Sequence, residues 1–216
     1  MIYNLSENSS IVRNFITEMR DKRVQQDRAR FRFNMRRLGQ VMAYEISKQM
    51  PYLSKKVETP LATTDGFYLS EQPVLATILR AGLALHEGLQ LIFDQADCAY
   101  ISAYRKHIED GTFDIELNYV SSPEIAGRQL IISDPMLATG SSLVKTLRKL
   151  YEQGMPEQTY IVTAIASEPG INYVLSEIDD VVIYTGAIDP ALNDKAYILP
   201  GLGDAGDLAY GPKIQE

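Results

Sequence analysis

The sequence predicts an α/β domain: a mainly parallel sheet flanked by helices, with a β-hairpin excursion and a small C-terminal hood. Three observations carry this. Apolar runs recur with almost no polar interruption: "PVLATIL" at 73–79, "QLIIS" at 129–133, "TYIVTAIA" at 159–166 and "VVIYTGA" at 181–187. Strands buried on both faces need such runs, whereas a strand with one wet face alternates. Segments of helical spacing separate them, and strand–helix alternation is the mark of parallel crossovers. The length, 216 residues, suits one domain over 1–216. Its parts read as N-terminal helices over 9–50, a core over 73–187 and the hood over 188–211.

The elements follow in order. Over 10–20, Ile11, Val12, Phe15, Ile16 and Met19 fall at helical spacing, and Ser9 or Ser10 supplies an N-cap. Over 24–50, Phe31, Met35, Leu38, Met42 and Ile46 step by four and three into one apolar stripe. Arg23, Arg28, Arg30, Arg32, Arg36 and Arg37 cluster around its start. They read either as a solvated face or as a site for an anion or a subunit contact. Residues 52–72 lack a long period and read as a hairpin or loop. A strand ends at Arg80, and "AGLALHEGLQLIF" follows as a helix. "CAYISAYR" is a second strand ending in Arg. "TFDIELNYV" alternates Phe113, Ile115, Leu117 and Tyr119 with polar residues, as a half-buried antiparallel strand does. Helices over 141–153 and 169–178 complete the crossovers. The Gly-, Pro- and Asp-rich tail over 189–211 reads as a loop closing over a site.

Composition narrows the function. Net charge is −7, against broad nucleic-acid binding, which rests on phosphate neutralisation. Two His and one Cys cannot build an ordinary zinc site. His86, on a helix, and His107, in a loop, read as ordinary surface or satisfied residues. Cys98 reads as a buried core thiol, and a single cysteine fits a reducing cytoplasm. No apolar run reaches the ~20 residues of a membrane helix, and "MIYNLSENSS" lacks signal-peptide features.

The chemistry concentrates in "IISDPMLATGSS", 131–142, where a strand hands over to a helix. Ligands of open parallel sheets bind beyond the strands' carboxyl ends. The first amides of a helix lack intrahelical partners, and the dipole puts partial positive charge there. Thr139, Gly140, Ser141 and Ser142 allow close approach and add hydroxyls, as a phosphate monoester requires. Asp134 at the strand tip can accept from sugar hydroxyls. The same pattern also serves as a ligand-free helix cap. It is neither a Walker loop nor a dinucleotide fingerprint.

"DPMLATGSS" resembles the phosphoribosyl-pyrophosphate (PRPP) loop of uracil phosphoribosyltransferases, whose usual form has a second Gly where Ser141 stands. "ILRAGLAL", "AYR", the N-terminal "MRD…R…FR…LG…YE" and "IDPALNDKAYILPGLGDAGDLAYG" resemble further segments of that family, in its order, over essentially the whole chain. The resemblance implies the type I phosphoribosyltransferase fold and pentosyl transfer from PRPP to uracil, giving UMP and pyrophosphate in pyrimidine salvage. It implies Arg80 and Arg105 on the pyrophosphate, and Asp134, Pro135, Met136, Leu137, Ala138, Thr139, Gly140, Ser141 and Ser142 around the ribose phosphate. It implies Tyr197, Ile198, Gly203, Asp204 and Ala205 at the uracil, with Asp204 also touching PRPP. Arg80, Arg105 and Asp204 are the expected catalytic set. Mg²⁺ is expected to arrive with PRPP, since that metal binds through substrate phosphates with few protein ligands. A homodimer or larger homo-oligomer, a GTP effector and a cytoplasmic location are further implications.

The chain also departs from the family. Pro135 and Ala138 stand where many phosphoribosyltransferases carry acids, a loss the uracil enzymes share. Ala196 replaces a usual Gly, and "LAYGPKIQE" differs from the usual basic-aromatic-Gly-Thr close. Two alternatives therefore stand beside the main reading. One is a regulator on this fold that senses UMP or PRPP and binds RNA through the Arg cluster. The other is a phosphoribosyltransferase for another pyrimidine.

Overall fold

A computed structural model describes residues 1–107 and 113–213, with backbone alone over 103–107 and 113–117. The chain opens with a short strand the sequence did not suggest, β1 (Ile2–Asn4). Helix α1 (Ile11–Arg20) follows, with the Ser10 hydroxyl accepting from the Val12 amide at 3.3 Å. Helix α2 (Arg28–Ser47) starts later than the expected residue 24. Two side chains explain the delay. Gln25 is buried and donates to the carbonyls of Met19 and Arg20, closing α1, and Asp27 caps α2 by accepting from the Arg30 amide.

The hairpin of β2 (Tyr52–Glu58) and β3 (Thr63–Leu69) stands apart from the main sheet, as expected. The core begins with β4 (Val74–Leu79) and α3 (Leu83–Gln90), the latter shorter than the 81–93 pattern. Strand β5 (Asp97–His107) pairs antiparallel with β6 (Phe113–Ser121). His107 thus ends a strand instead of lying in a loop. Next come β7 (Gln129–Ser133), β8 (Met136–Leu137) and α4 (Ser141–Tyr151). Then β9 (Gln158–Ser167), α5 (Glu168–Glu177) and β10 (Val181–Asp189) follow. The tail is a small hood of β11 (Ala191–Leu192), β12 (Ile198–Leu199) and α6 (Ala205–Tyr210).

Among the described residues the main sheet runs β1-β10-β9-β7-β4-β5-β6, with β8 added beside β9. All pairs are parallel except β5–β6. Alternate residues of each central strand serve two cores. Leu75, Ile131 and Val162 face α1, α2 and α3, while Val74, Ala76, Leu130 and Ile161 face α4 and α5. Burial on both faces is why these strands read as unbroken apolar runs. No helix among the described residues is long and apolar enough to cross a membrane.

Two expectations are corrected. Cys98 is half-buried, not enclosed, and its sulfur accepts from Gln90 Nε2 at 3.2 Å. His86 is neither superficial nor satisfied. It is 1% exposed on α3, edge-on to Tyr100, and neither ring nitrogen has a partner among the described residues. The apolar stripe of α3 continues through position 86, so helical geometry pulls the imidazole inward whatever its polarity.

Burial holds the His86 pKa down to about 4, against 6.5 ordinarily, with only a small opposing pull from Glu87. Between these values the unfolded chain takes up a proton the folded chain refuses, so stability falls as pH drops through the window. In chemical denaturation at stepped pH, the wild type should lose up to about 3 kcal/mol more than His86→Leu between pH 6.5 and 4. Parallel curves for the two proteins would contradict this account.

Candidate functional site

The sheet order contains a reversal. From β4 the chain moves outward to β5. After β6 it returns to β7 on the other side of β4, then moves away through β9 and β10. Crossover helices therefore leave β4 and β7 on opposite faces, opening a crevice at the carboxyl ends of these neighbours. Arg80 directly follows β4 and Asp134 directly follows β7, and the two strands run parallel with Thr77 opposite Ser133. Gly82 fits the narrow step between them. A Cβ there would sit 2.2 Å from Thr77 Oγ1 and 2.8 Å from the Ser133 carbonyl oxygen. Arg105 lies on β5 three residues beyond the last pairing with β4, opposite Ile115 of β6. Its backbone is at the same edge, and its side chain lies outside the described residues.

The 134–142 loop is braced from beneath. Met136 and Leu137 pair with Ile165 and Ala166 of β9. The Ser167 hydroxyl donates to the Ala138 carbonyl at 2.5 Å and accepts from the Gly170 amide at 2.9 Å. Gly140 turns the chain into α4 with φ 80°, and a Cβ would meet Val174, Gly170 and Tyr173 at about 3 Å. Both the angle and the space therefore demand glycine. Helix α4 has no side-chain cap. The Thr139 hydroxyl instead lies 3.3 Å from Ser141 Oγ and accepts from the Ser141 amide at 3.4 Å. A hollow of about 40 Å³ lies against Asp134, Ala138, Thr139, Gly140 and Ser142. Ser141 is in ordinary helical conformation, so replacing the family's second Gly costs the backbone nothing.

The hood is pinned by one buried ion pair. Arg20 reaches both carboxylate oxygens of Asp189 at 2.6 and 2.8 Å and the Gly201 carbonyl at 3.0 Å. The Gly201 amide in turn donates to Asp189 at 2.9 Å. With Asp189 4% exposed, these bonds satisfy a carboxylate that would otherwise be costly to bury. Ile198 and Ala205 are buried, Tyr197 is exposed, and Gly203 has φ 100°. Asp204 caps α6, accepting from the Asp207 amide at 2.9 Å. Helix α6 lies against Ala81, so the hood meets the strand end that carries Arg80. There Arg80 donates to Asp207 at 3.1 Å and also to the Gly211 carbonyl. A cavity of about 380 Å³ separates Gly203, Asp204 and Asp207 from Gln25, Gln26 and Arg28 of the α1–α2 turn.

The other arginines of the N-terminal cluster are largely engaged within the chain. Arg30 pairs with Glu18 at 2.7 Å, Arg36 with Glu87, and Arg32 donates to the Ala209 carbonyl. Arg37 lies over the Phe33 ring at 4.4 Å. Arg30 and Asn34 together hold the Glu18 carboxyl down to about 2. Within the chain most of these arginines are thus engaged, Arg30 and Arg36 by carboxylates, with Arg28 turned to the cavity.

Several contributors escaped the sequence reading. Ser167 carries a legible signal, a Ser before Glu-Pro at a helix start. Arg20 and Asp189 are distant in sequence, and nothing local announces their pairing. Asp207 lies inside the recognised segment but was given no role there, and Lys213 follows that segment without a motif of its own.

Comparison with known proteins shows the family. A family model described as uracil phosphoribosyltransferase matches residues 6–212. The chain belongs to the uracil phosphoribosyltransferase family. A curated relative of that name from Porphyromonas gingivalis is 46% identical over 99% of both chains, and one from Pyrococcus furiosus is 40% identical over 97% of this chain and 90% of its own. A solved protein from Aquifex aeolicus superposes with a TM-score of 0.87 at 31% identity, covering both chains fully. A hypoxanthine phosphoribosyltransferase from Staphylococcus aureus aligns with a TM-score of 0.52 at 15% identity over 74% of this chain and 76% of its own. That likeness speaks to fold alone, the type I phosphoribosyltransferase fold, with the β2–β3 hairpin and hood as additions.

Ala196, where the uracil phosphoribosyltransferase pattern has Gly, carries φ 60° in the turn between β11 and β12. Asn193 holds this turn by accepting from the amides of Lys195 and Tyr197 at 3.0 and 2.9 Å. A left-handed alanine costs roughly 1 kcal/mol relative to glycine, partly offset by the greater freedom of unfolded glycine. Ala196→Gly should therefore leave stability unchanged or raise it by up to about 1 kcal/mol. Thermal unfolding checks this, and a clear loss of stability would contradict it.

Proposed function

We propose that this chain transfers the 5-phosphoribosyl group of PRPP to uracil, releasing pyrophosphate and forming UMP. The observation that carries the reading is the meeting of three parts at one sheet edge. These are the Asp134–Ser142 loop, the strand end bearing Arg80, and the hood over 188–211, in a chain matched to the family from 6 to 212.

In this reading the bond from the anomeric carbon to the pyrophosphate oxygen breaks, and a bond from that carbon to uracil N1 forms. The N1 proton leaves to solvent. Displacement at an anomeric carbon develops oxocarbenium character. The protein's work is then to hold the charged leaving group, fix the ribose and present the base. The guanidinium forks of Arg80 and Arg105 grip the pyrophosphate. The first amides of α4 and the hydroxyls of Thr139, Ser141 and Ser142 hold the 5-phosphate. Asp134 accepts from the ribose hydroxyls, and Asp204 approaches from the hood.

With Asp134 committed to the ribose hydroxyls, the loop offers no further carboxylate as a general base, since Pro135 and Ala138 stand at the positions where other such loops carry acids. Uracil N1–H is acidic enough that backbone groups polarising the ring can suffice. The stretch from Ile198 to Ala205 reads the two carbonyls and N–H groups through main-chain atoms, with Tyr197 at one side. Mg²⁺ belongs to the substrate in this account, travelling as counter-ion of the pyrophosphate. We propose homo-oligomerisation for a related reason. The β2–β3 ribbon exposes Tyr52, Leu53, Phe67 and Tyr68, and a lone two-stranded ribbon is marginal in water unless something covers it. A second copy of this chain is the occupant we assign.

Incubation with PRPP, Mg²⁺ and a panel of uracil, cytosine, orotate and hypoxanthine tests the reading. UMP should form from uracil, and turnover of the other bases should be negligible. Preference for another base, or no nucleotide from any, would overturn it.

A further inference from the structure

Beside the pyrophosphate arginine lies a chain of alternating charges, of which the family resemblance assigned Arg80 and Asp204 but not Asp207 and Lys213. Arg80 Nη2 is 3.1 Å from Asp207 Oδ1. Lys213 Nζ is 3.7 Å from that same oxygen and 2.8 Å from Asp204 Oδ2. Asp204 Oδ1 is already committed to the Asp207 amide. All four side chains are 31–40% exposed, so they stand at the crevice mouth within reach of a ligand. Two carboxylates one helical turn apart would repel an incoming polyanion. With Arg80 alone this cluster carries net charge −1, and Lys213 brings it to zero.

Arg80 has a conflict to resolve. While it donates to Asp207 and to the Gly211 carbonyl, its fork is not free for pyrophosphate. When it turns to the substrate, Asp207 loses its partner close to a new negative charge. Among the described residues Lys213 is the nearest remaining cation, and a movement of about 1 Å brings its ammonium within charge-assisted hydrogen-bond distance of Asp207.

Resting on the proposed transfer reaction, we infer that Lys213 is a positioning residue for PRPP: it aims Asp204 into the crevice and takes over Asp207 when Arg80 leaves it for pyrophosphate. The Asp204 environment agrees. Burial pushes its carboxyl up, but the Lys213 ammonium and the Asp207 amide outweigh this, leaving its pKa below the ordinary carboxylate value. Asp204 therefore stays ionised through the neutral range, and losing Lys213 removes the largest lowering influence.

The test uses the full chain and its Lys213→Ala and Lys213→Arg variants. Steady-state kinetics with uracil and PRPP should show Lys213→Ala raising the KM for PRPP about tenfold or more. The KM for uracil should stay within about twofold, and the acid limb of the pH–kcat/KM profile should move upward. Lys213→Arg should restore most of the loss. Calorimetric titration with inorganic pyrophosphate and Mg²⁺ should show the same order of affinities, wild type and Lys213→Arg above Lys213→Ala. Unchanged PRPP KM, pyrophosphate affinity and acid limb in Lys213→Ala would overturn the inference while leaving uracil transfer standing. Equal rises in both KM values with a lowered unfolding temperature would overturn it too, as the mark of a merely structural lysine. If the wild type made no UMP yet bound pyrophosphate in a Lys213-dependent way, the reaction assignment would fail and the inference would survive.

Discussion

Parallel strands must be joined by crossovers that pass over a face of the sheet, and here those crossovers diverge between β4 and β7. Everything at the site follows from that divergence. Neither face helix can cover the gap, so the strand ends beneath it stay open to ligand. Arg80 and Asp134 are placed there by backbone register, with Thr77 opposite Ser133. Gly82 fits the close approach of the two strand ends, where a Cβ would meet Thr77 and the Ser133 carbonyl.

The remaining elements bring chemistry to this opening. Helix α4 begins at its rim with no side-chain bond from its N-cap, Gly140, and the Thr139 hydroxyl meets its first amide only at 3.4 Å, so the amides of its first turn can answer an anion. Ser167, at the end of β9, fixes the loop that delivers them. The hood arrives from the far end of the chain and would be a floppy tail without an anchor. The Arg20–Asp189 pair supplies one, with Gly201 bound from both sides. Electrostatics at the mouth are nearly neutral because Asp204 and Asp207 are each met by a cation. On the proposed reading, a site that accepts a polyanion thus avoids presenting these two carboxylates unpaired.

Legibility in the sequence tracked how local the physics is. The central strands were readable because burial on both faces leaves little room for polar residues between the ends of runs such as "QLIIS". The antiparallel β6 was readable because its alternation differs from theirs. The turn from Asp134 to Ser142 was readable because a tight strand-to-helix turn restricts residue choice at adjacent positions, with Gly140 at φ 80°. What failed was non-local. Strand β1 is three residues long, and only its pairing with Ile183–Thr185 makes it a strand. The delayed start of α2 depends on Gln25 closing the preceding helix. His86 was misjudged because polarity suggested the surface, while the α3 stripe carries the ring inward. Lys213 stands beyond the last helix, and only folding brings it to Asp204.

The central claim is geometric: one ligand spans the α4 amides, the β4 and β7 strand ends and the hood. A crystal structure of the chain with PRPP bound tests it most directly. The account predicts the 5-phosphate against residues 139–142, the ribose hydroxyls at Asp134, and the pyrophosphate at Arg80 with its bond to Asp207 broken. A donor bound elsewhere on the chain, or one seated in the crevice with Arg80 still paired to Asp207 and the α4 amides untouched, would contradict it.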